Sequence, residues 1–292
     1  MNFNYKLSLG GLIGEAENYT NITDSYYNDD IHVEFLRNQS GTFTGCSIYV
    51  GGIIGESDNA TITKCGRPFG NFYVNANCSS SNTSNLYTNV GGIVGSARSS
   101  NISYCYNNSP KFEIYIGSNS GLKFGGIAGY SSIYGSNGII NCYSSSKEFH
   151  VNANQINGVN YGGIIGYLYP NNTPNLKANY SPSDIFVSCN HSLYLVEGYV
   201  GSKSFTSSQM KESDFLNELN IYSVINTQNQ IWENKYFGST YPIHKSQFGA
   251  VFSPTVEFND TLSIYDLQGR KVHNPRQGQI YIRAGKKFIH TK

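Results

Sequence analysis

Five short stretches share one order of apolar and small positions: LGGLIG from Leu9, VGGIIG from Val50, VGGIVG from Val90, FGGIAG from Phe124 and YGGIIG from Tyr161. Their first glycines, Gly10, Gly51, Gly91, Gly125 and Gly162, are 41, 40, 34 and 37 residues apart. A degenerate sixth copy, EGYVG, spans Glu197 to Gly201. A second element follows each motif: ITDSY at Ile22, ITKCG at Ile62, ISYCY at Ile102, IINCY at Ile139 and LKANY at Leu176. A third alternates apolar and polar residues with the period of a strand: IHVEF from Ile31, FYVNA from Phe72, FEIYI from Phe112, FHVNA from Phe149 and IFVSC from Ile185. Three short strands per repeat, joined by Ser/Asn/Gly loops, make one turn of a solenoid.

Such strands bury an apolar face only when successive repeats stack, each strand pairing in parallel with its copy one coil on. The fold class expected is all-β: a right-handed parallel β-helix of five to six coils, roughly 25 Å tall at ~4.8 Å per coil. Leu12, Ile53, Ile93, Ile127 and Ile164 are expected to point inward in a column. Gly51 and Gly55, two residues away on either side, are expected to face in too and to leave room for side chains from other walls. Phe72 with Val74, Phe112 with Ile114 and Phe149 with Val151 form a second inward ladder. The spacing G-G-x-x-G, repeated five times with no helix after it, is not the G-x-G-x-x-G of a dinucleotide loop.

These repeats resemble the GLUG-motif proteins, which are common among cell-surface and secreted proteins of gut-type bacteria. The resemblance covers residues 5–245 and implies adhesion or surface display; the repeat is not known to carry a catalytic residue. It includes a tail with Met210, Phe215, Leu216 and Leu219 at helical spacing, Ser208 as a candidate N-cap, and the single tryptophan, Trp232. The tail reads as a cap over the last coil, where strand edges are otherwise unpaired. The expected division is a β-helix over 1–204, a helical cap and connecting segment over 205–247, and a C-terminal β module over 248–292. In that module LSIYDLQGRKV and GQIYIRAGKKFIH read as strands separated by turns at Gly269, Gly278 and Gly285. It resembles the short β-sandwich C-terminal domains of Bacteroidetes secreted proteins, among them the type IX secretion sorting signals. Gln279 interrupts the usual run, so an accessory module without a sorting role is the competing reading.

Composition narrows the classes. Charged residues are 13% of the 292 and the net charge is +1, so there is no basic footprint for nucleic acid. No apolar run approaches the length of a membrane helix. The N-terminus shows no basic and apolar signal-peptide regions. The first strand is therefore expected to present an open edge, covered in the native protein by further N-terminal repeats or by edge-to-edge pairing with another chain. Of six cysteines, Cys65, Cys105 and Cys142 share one repeat position and read as a buried ladder of free thiols; Cys46, Cys78 and Cys189 lie outside it.

Candidate chemistry is sparse. Histidines 32, 150, 191, 244, 273 and 290 form no ligand pair. Glu15 and Glu56 follow the last motif glycine and Glu17 and Asp58 lie two residues on, so stacking gathers four carboxylates, all expected to face solvent. A calcium ion would relieve their repulsion; a solvated corner is the plainer reading. Tyr26, Tyr106, Tyr143 and Tyr180 share one position, broken at Gly66. Exposed, such a row binds glycans; partly buried, it stabilises the wall, and that structural role is preferred. No cofactor is implied. The leading expectation is a non-catalytic, secreted or cell-surface, adhesin-like protein displaying loops such as Gln39–Gly45 and Asn77–Asn89 to host glycans or matrix proteins. The alternative is a carbohydrate-active β-helix, either a glycan binder or a relative of polysaccharide lyases and hydrolases, which would need paired carboxylates on one wall.

Overall fold

A computed structural model of the chain describes residues 3–37, 43–78, 86–117, 120–132, 137–153, 158–169, 175–190, 193–195, 204–234 and 236–247, and four short strands beyond them. The chain divides into two compact units, Met1–Lys245 and Ser246–Lys292. The first is a parallel β-solenoid. Its second coil shows the plan: five strands, Phe43–Gly51, Ile54–Asp58, Thr61–Thr63, Gly66–Arg67 and Phe72–Cys78, rather than the three expected. Each pairs in parallel with its counterpart in the next coil. Among the described residues the first wall is six strands deep, the second, third and fifth are five, and the fourth is three.

Stacking runs in register through the motifs: Gly10, Gly51, Gly91, Gly125 and Gly162 are direct partners. Ile22, Ile62, Ile102, Ile139 and Leu176 are too. Phe72, Phe112 and Phe149 stack face to face, with ring centroids 4.3 and 4.9 Å apart. The fifth copy departs from the expected alignment, because Val187 and not Ile185 pairs with Phe149. The degenerate motif at Glu197–Gly201 lies outside the described residues, as do most of the loops at Gln39–Gly45 and Asn77–Asn89.

Two apolar cores fill the coil. One, between the first and fifth walls, is built from Ile48, Val50, Phe72, Val74, Phe112 and Phe124 and their copies. The other, between the second and third walls, holds the Ile53, Ile93, Ile127 and Ile164 column together with Cys65, Cys105 and Cys142. These three thiols are free and buried, and their Sγ atoms lie 3.6–3.7 Å from the carbonyls of Ile102, Ile22 and Ile62 on the preceding coil. Leu12, in register with Ile53 at the first coil, is 48% exposed, since no preceding coil covers it among the described residues.

The glycines have three separate reasons, and at Gly51 and Gly55 the reason is backbone contact, not room for a distant side chain. The chain bends sharply at Gly52–Ile53, so a Cβ on Gly51 would strike the carbonyl of Ile54. The second glycine of each pair abuts a mostly polar ladder: Gly52 meets Arg67, Gly92 Asn107, Gly126 Ser144 and Gly163 Ser181. Arg67 is fully buried, its guanidinium 4.1 Å from the Phe72 ring centre, and burial pushes its pKa down to about 10. The third glycine, Gly55, sits against the backbone of Leu9 and Gly14. The chain thus folds back at each corner, turning the outer face of the second wall toward that of the first.

The helix spans Ser213–Thr227 after a 3-10 turn at Gln209–Lys211, and Phe215, Leu219 and Met210 are buried as their spacing suggested. It does not cover the end of the stack. The segment from Phe205 onward runs along the flank, over the fourth wall: Phe205 bridges Pro182, Trp232 and Phe215 pack edge-on against Tyr143, and His244 reaches Tyr26 of the first coil. Neither Ser208 nor Glu212 caps a helix with its side chain. No helix among the described residues is long and apolar enough to cross a membrane. The second unit contains a four-stranded antiparallel sheet of Ile264–Tyr265, Lys271–Val272, Ile280–Arg283 and Lys286–Ile289. Its turn glycines, Gly269, Gly278 and Gly285, lie outside the described residues.

Candidate functional site

The tyrosine row is a docking seat within the chain. Tyr106, Tyr143 and Tyr180 are buried, and only Tyr26 is partly exposed. Tyr106 and Tyr143 stack at 5.7 Å, and Gly66 breaks the row because a Cβ there would enter the Tyr106 ring. Their hydroxyls serve the flank: Tyr143 donates to the carbonyl of Pro242, Tyr180 to Glu218 at 3.2 Å, and Tyr26 lies 2.9 Å from His244 Nδ1. Trp232 is buried and donates from Nε1 to Asn141 at 2.7 Å. The row is closed to an outside ligand.

The carboxylates do not all face solvent. Glu56 is 1% exposed, because the fold-back at the corner carries it against the first wall. Lys6 lies 2.7 Å from its Oε2, Arg98 pairs with its Oε1, and Ser8 donates to it at 3.2 Å. Lys6 also pairs with Glu15, and Arg98 lies 3.7 Å from Asp58. Burial acts to lower the Lys6 pKa, but its bonds to Glu15 and Glu56 outweigh that and hold it above the ordinary value. The bond to Lys6 lowers the pKa of Glu15, whereas Glu17, beside Glu15, is raised. The chain's own cations fill the role a calcium ion would take. Among the described residues no group of three or more potential ligands is arranged to hold a metal ion.

The same facing walls meet along a line up the stack, a groove that is closed at Glu56, Asn89 and Ser96 and partly exposed at Lys123, Tyr130 and Tyr167. Ser8, Tyr49, Asn89, Lys123 and Asn160 line one side in register, and Glu15, Glu56, Ser96, Tyr130 and Tyr167 line the other. At its upper end Lys123 projects between aromatic rings, its Nζ 4.5 Å from the ring centre of Tyr167, 4.6 Å from Tyr130 and 5.6 Å from Tyr87. Tyr130 and Tyr167 lie parallel, 5.9 Å apart. Burial lowers the pKa of the Lys123 ammonium, which has no carboxylate partner among the described residues. One coil below, Asn89 is 4% exposed and its Oδ1 has no hydrogen-bond partner among the described residues. Sequence reading singled out neither Lys123 nor Tyr167 and named Asn89 only as the end of a displayed loop, whereas it lies in the strand Leu86–Gly91. The signal was present, since aligning the coils puts Lys123 two residues before a motif glycine and Tyr167 one residue after another, but only the fold-back brings the two columns together.

Compared with protein-family models, curated proteins and solved structures, the chain matches none.

Proposed function

We propose that this chain is a non-catalytic, GLUG-type repeat protein of the cell surface or secreted space, adhesin-like, whose solenoid presents a rigid surface to host glycans or matrix proteins. The observation that carries this reading is the fate of the reactive side chains. Glu56 is bound by two cations, His244 and the tyrosine hydroxyls hold the flank, and Arg67 is sealed in the core. Those groups serve the scaffold, while Lys123 and the rings of Tyr130 and Tyr167 remain partly exposed. A surface rich in Asn, Ser, Thr and Tyr with few charges suits an extracellular setting, and buried thiols such as Cys65, Cys105 and Cys142 are shielded from oxidants there.

The carbohydrate-active alternative gains one supporting observation, the aromatic and cationic groove, and this favours its binding form over its hydrolytic form. Glycoside cleavage needs two carboxylates free to exchange protons, and the most buried carboxylate of the groove is held between Lys6 and Arg98. The test is an array of host and bacterial glycans and matrix proteins probed with the full chain. Saturable binding to at least one, without turnover of the ligand, is expected. Binding to none, or release of shortened sugars, contradicts the reading.

A further inference from the structure

We propose that the upper end of the groove is a binding site for an anionic saccharide, with Lys123 receiving the carboxylate or sulfate, the rings of Tyr130 and Tyr167 receiving the sugar face, and Asn89 accepting a sugar hydroxyl. This rests on the reading of the chain as a glycan or matrix binder and names its site and ligand class.

Three observations converge. First, Lys123 is a half-buried cation that the fold supplies with rings but, among the described residues, with no carboxylate, unlike Lys6 and Lys111, which pair with Glu15 and Glu113. Ring faces attract an ammonium without neutralising it, so the charge remains available to an anion. Second, Asn89, next to Lys123 in the same in-register column, carries a buried acceptor with no donor among the described residues. An unpartnered buried polar atom costs free energy unless a ligand satisfies it. Third, Tyr130 and Tyr167 are parallel, one coil apart and partly exposed, so a sugar chain lying along the axis meets one aromatic ring per coil. The C–H faces of pyranose rings pack on such surfaces, and the rise per sugar of an extended chain is close to the coil spacing.

The acidic end of the groove does not oppose this placement. Glu15 and Glu56 sit three and two coils below Tyr130, and Lys6 and Arg98 balance Glu56 directly. The ordering of charge along the groove instead gives the ligand a polarity: its anionic group sits at the Lys123 end, away from the carboxylates.

The test is calorimetric titration of the full chain with four probes: oligogalacturonate, a chondroitin sulfate oligosaccharide, fully methyl-esterified oligogalacturonate and poly-glutamate. The expected result is that at least one anionic saccharide binds ten-fold or more tightly than the neutral ester. Which of the two binds distinguishes carboxylate from sulfate. Lys123→Gln should weaken that binding at least ten-fold and Tyr167→Leu should weaken it several-fold, whereas Tyr73→Leu on the fifth wall should leave it unchanged. Lys123→Gln removes a half-buried charge without a carboxylate partner, so it should melt no lower than the parent; should it fail to fold, Tyr167→Leu against Tyr73→Leu carries the comparison. Unchanged binding in the groove variants, equal binding of the neutral ester, or equal binding of poly-glutamate overturns the proposal. If the parent ignores all four probes yet binds a glycan or matrix protein on the array, the groove assignment fails and the broader reading stands. If it binds nothing on either, the broader reading fails as well.

Discussion

His244 joins a single side chain to the attachment of the whole flank. Its ring is buried, with Nε2 2.6 Å from the carbonyl of Tyr104 and Nδ1 2.9 Å from the hydroxyl of Tyr26. A carbonyl only accepts, so Nε2 carries the proton and Nδ1 accepts from the tyrosine, which makes the ring neutral. Burial pushes its pKa down to about 3 from an ordinary 6.5, against the smaller upward pull of the Tyr104 bond and Asp24. In the unfolded chain the ring takes a proton near 6.5, so between these values the unfolded state holds the extra proton. The stability contributed is complete above pH 6.5 and is lost progressively as pH falls from there through about 3, up to about 5 kcal/mol in all. Trp232 lies 4.6 Å from the ring and reports on it. Acid titration of tryptophan fluorescence should therefore show release of the flank well above the pH at which a His244→Asn variant releases it. Coincident titrations of the two proteins would show that His244 does not control this attachment.

At the scale of elements, the strands were legible and the corners were not. Ile62 and Phe72 announce their strands by alternation, and the in-register columns follow from the motif spacing. The left-handed corner residues Asp24, Lys64, Tyr104, Asn141 and Ala178 give no such signal, with φ between 47° and 55° and no glycine among them. Coil-to-coil hydrogen bonds hold that conformation, such as Tyr104 N to the Ile140 carbonyl at 2.9 Å, and a local reading cannot see them. The glycines were visible, but their reasons depend on the fold-back at each corner. The exposure of Glu56 was misjudged for the same cause, since strand alternation does not continue through a bend. Two substitutions separate the kinds of glycine. Gly92→Ala would drive a Cβ into the Gly126 carbonyl and the Asn107 amide, whereas Gly121→Ala meets only the Tyr87 ring, at 3.5 Å. Gly92→Ala should cost at least about 3 kcal/mol or prevent folding, and Gly121→Ala should stay within about 1 kcal/mol of the parent. Comparable melting of the two would contradict the corner geometry.

At the scale of the molecule, the solenoid, the flank and the groove all depend on coils stacked in parallel and in register. The flank crosses several coils, from Phe205 at Pro182 to His244 at Tyr26, and the groove exists only because Lys123 and Tyr130 belong to walls that share that register. The helix was legible from Phe215 and Leu219, yet its seat was not, because the tyrosine row that receives it is scattered over more than 150 residues of sequence. The most direct test uses the outer face of the fifth wall, where Asn75, Tyr115 and Asn152 are successive register partners. Spin labels placed at Asn75 and Asn152 through cysteine substitution lie two coils apart. Electron paramagnetic resonance should give strong dipolar broadening for a separation of roughly 10 Å, twice the strand spacing. A separation beyond roughly 20 Å, more than four strand spacings, would contradict the stacked solenoid and everything built on it.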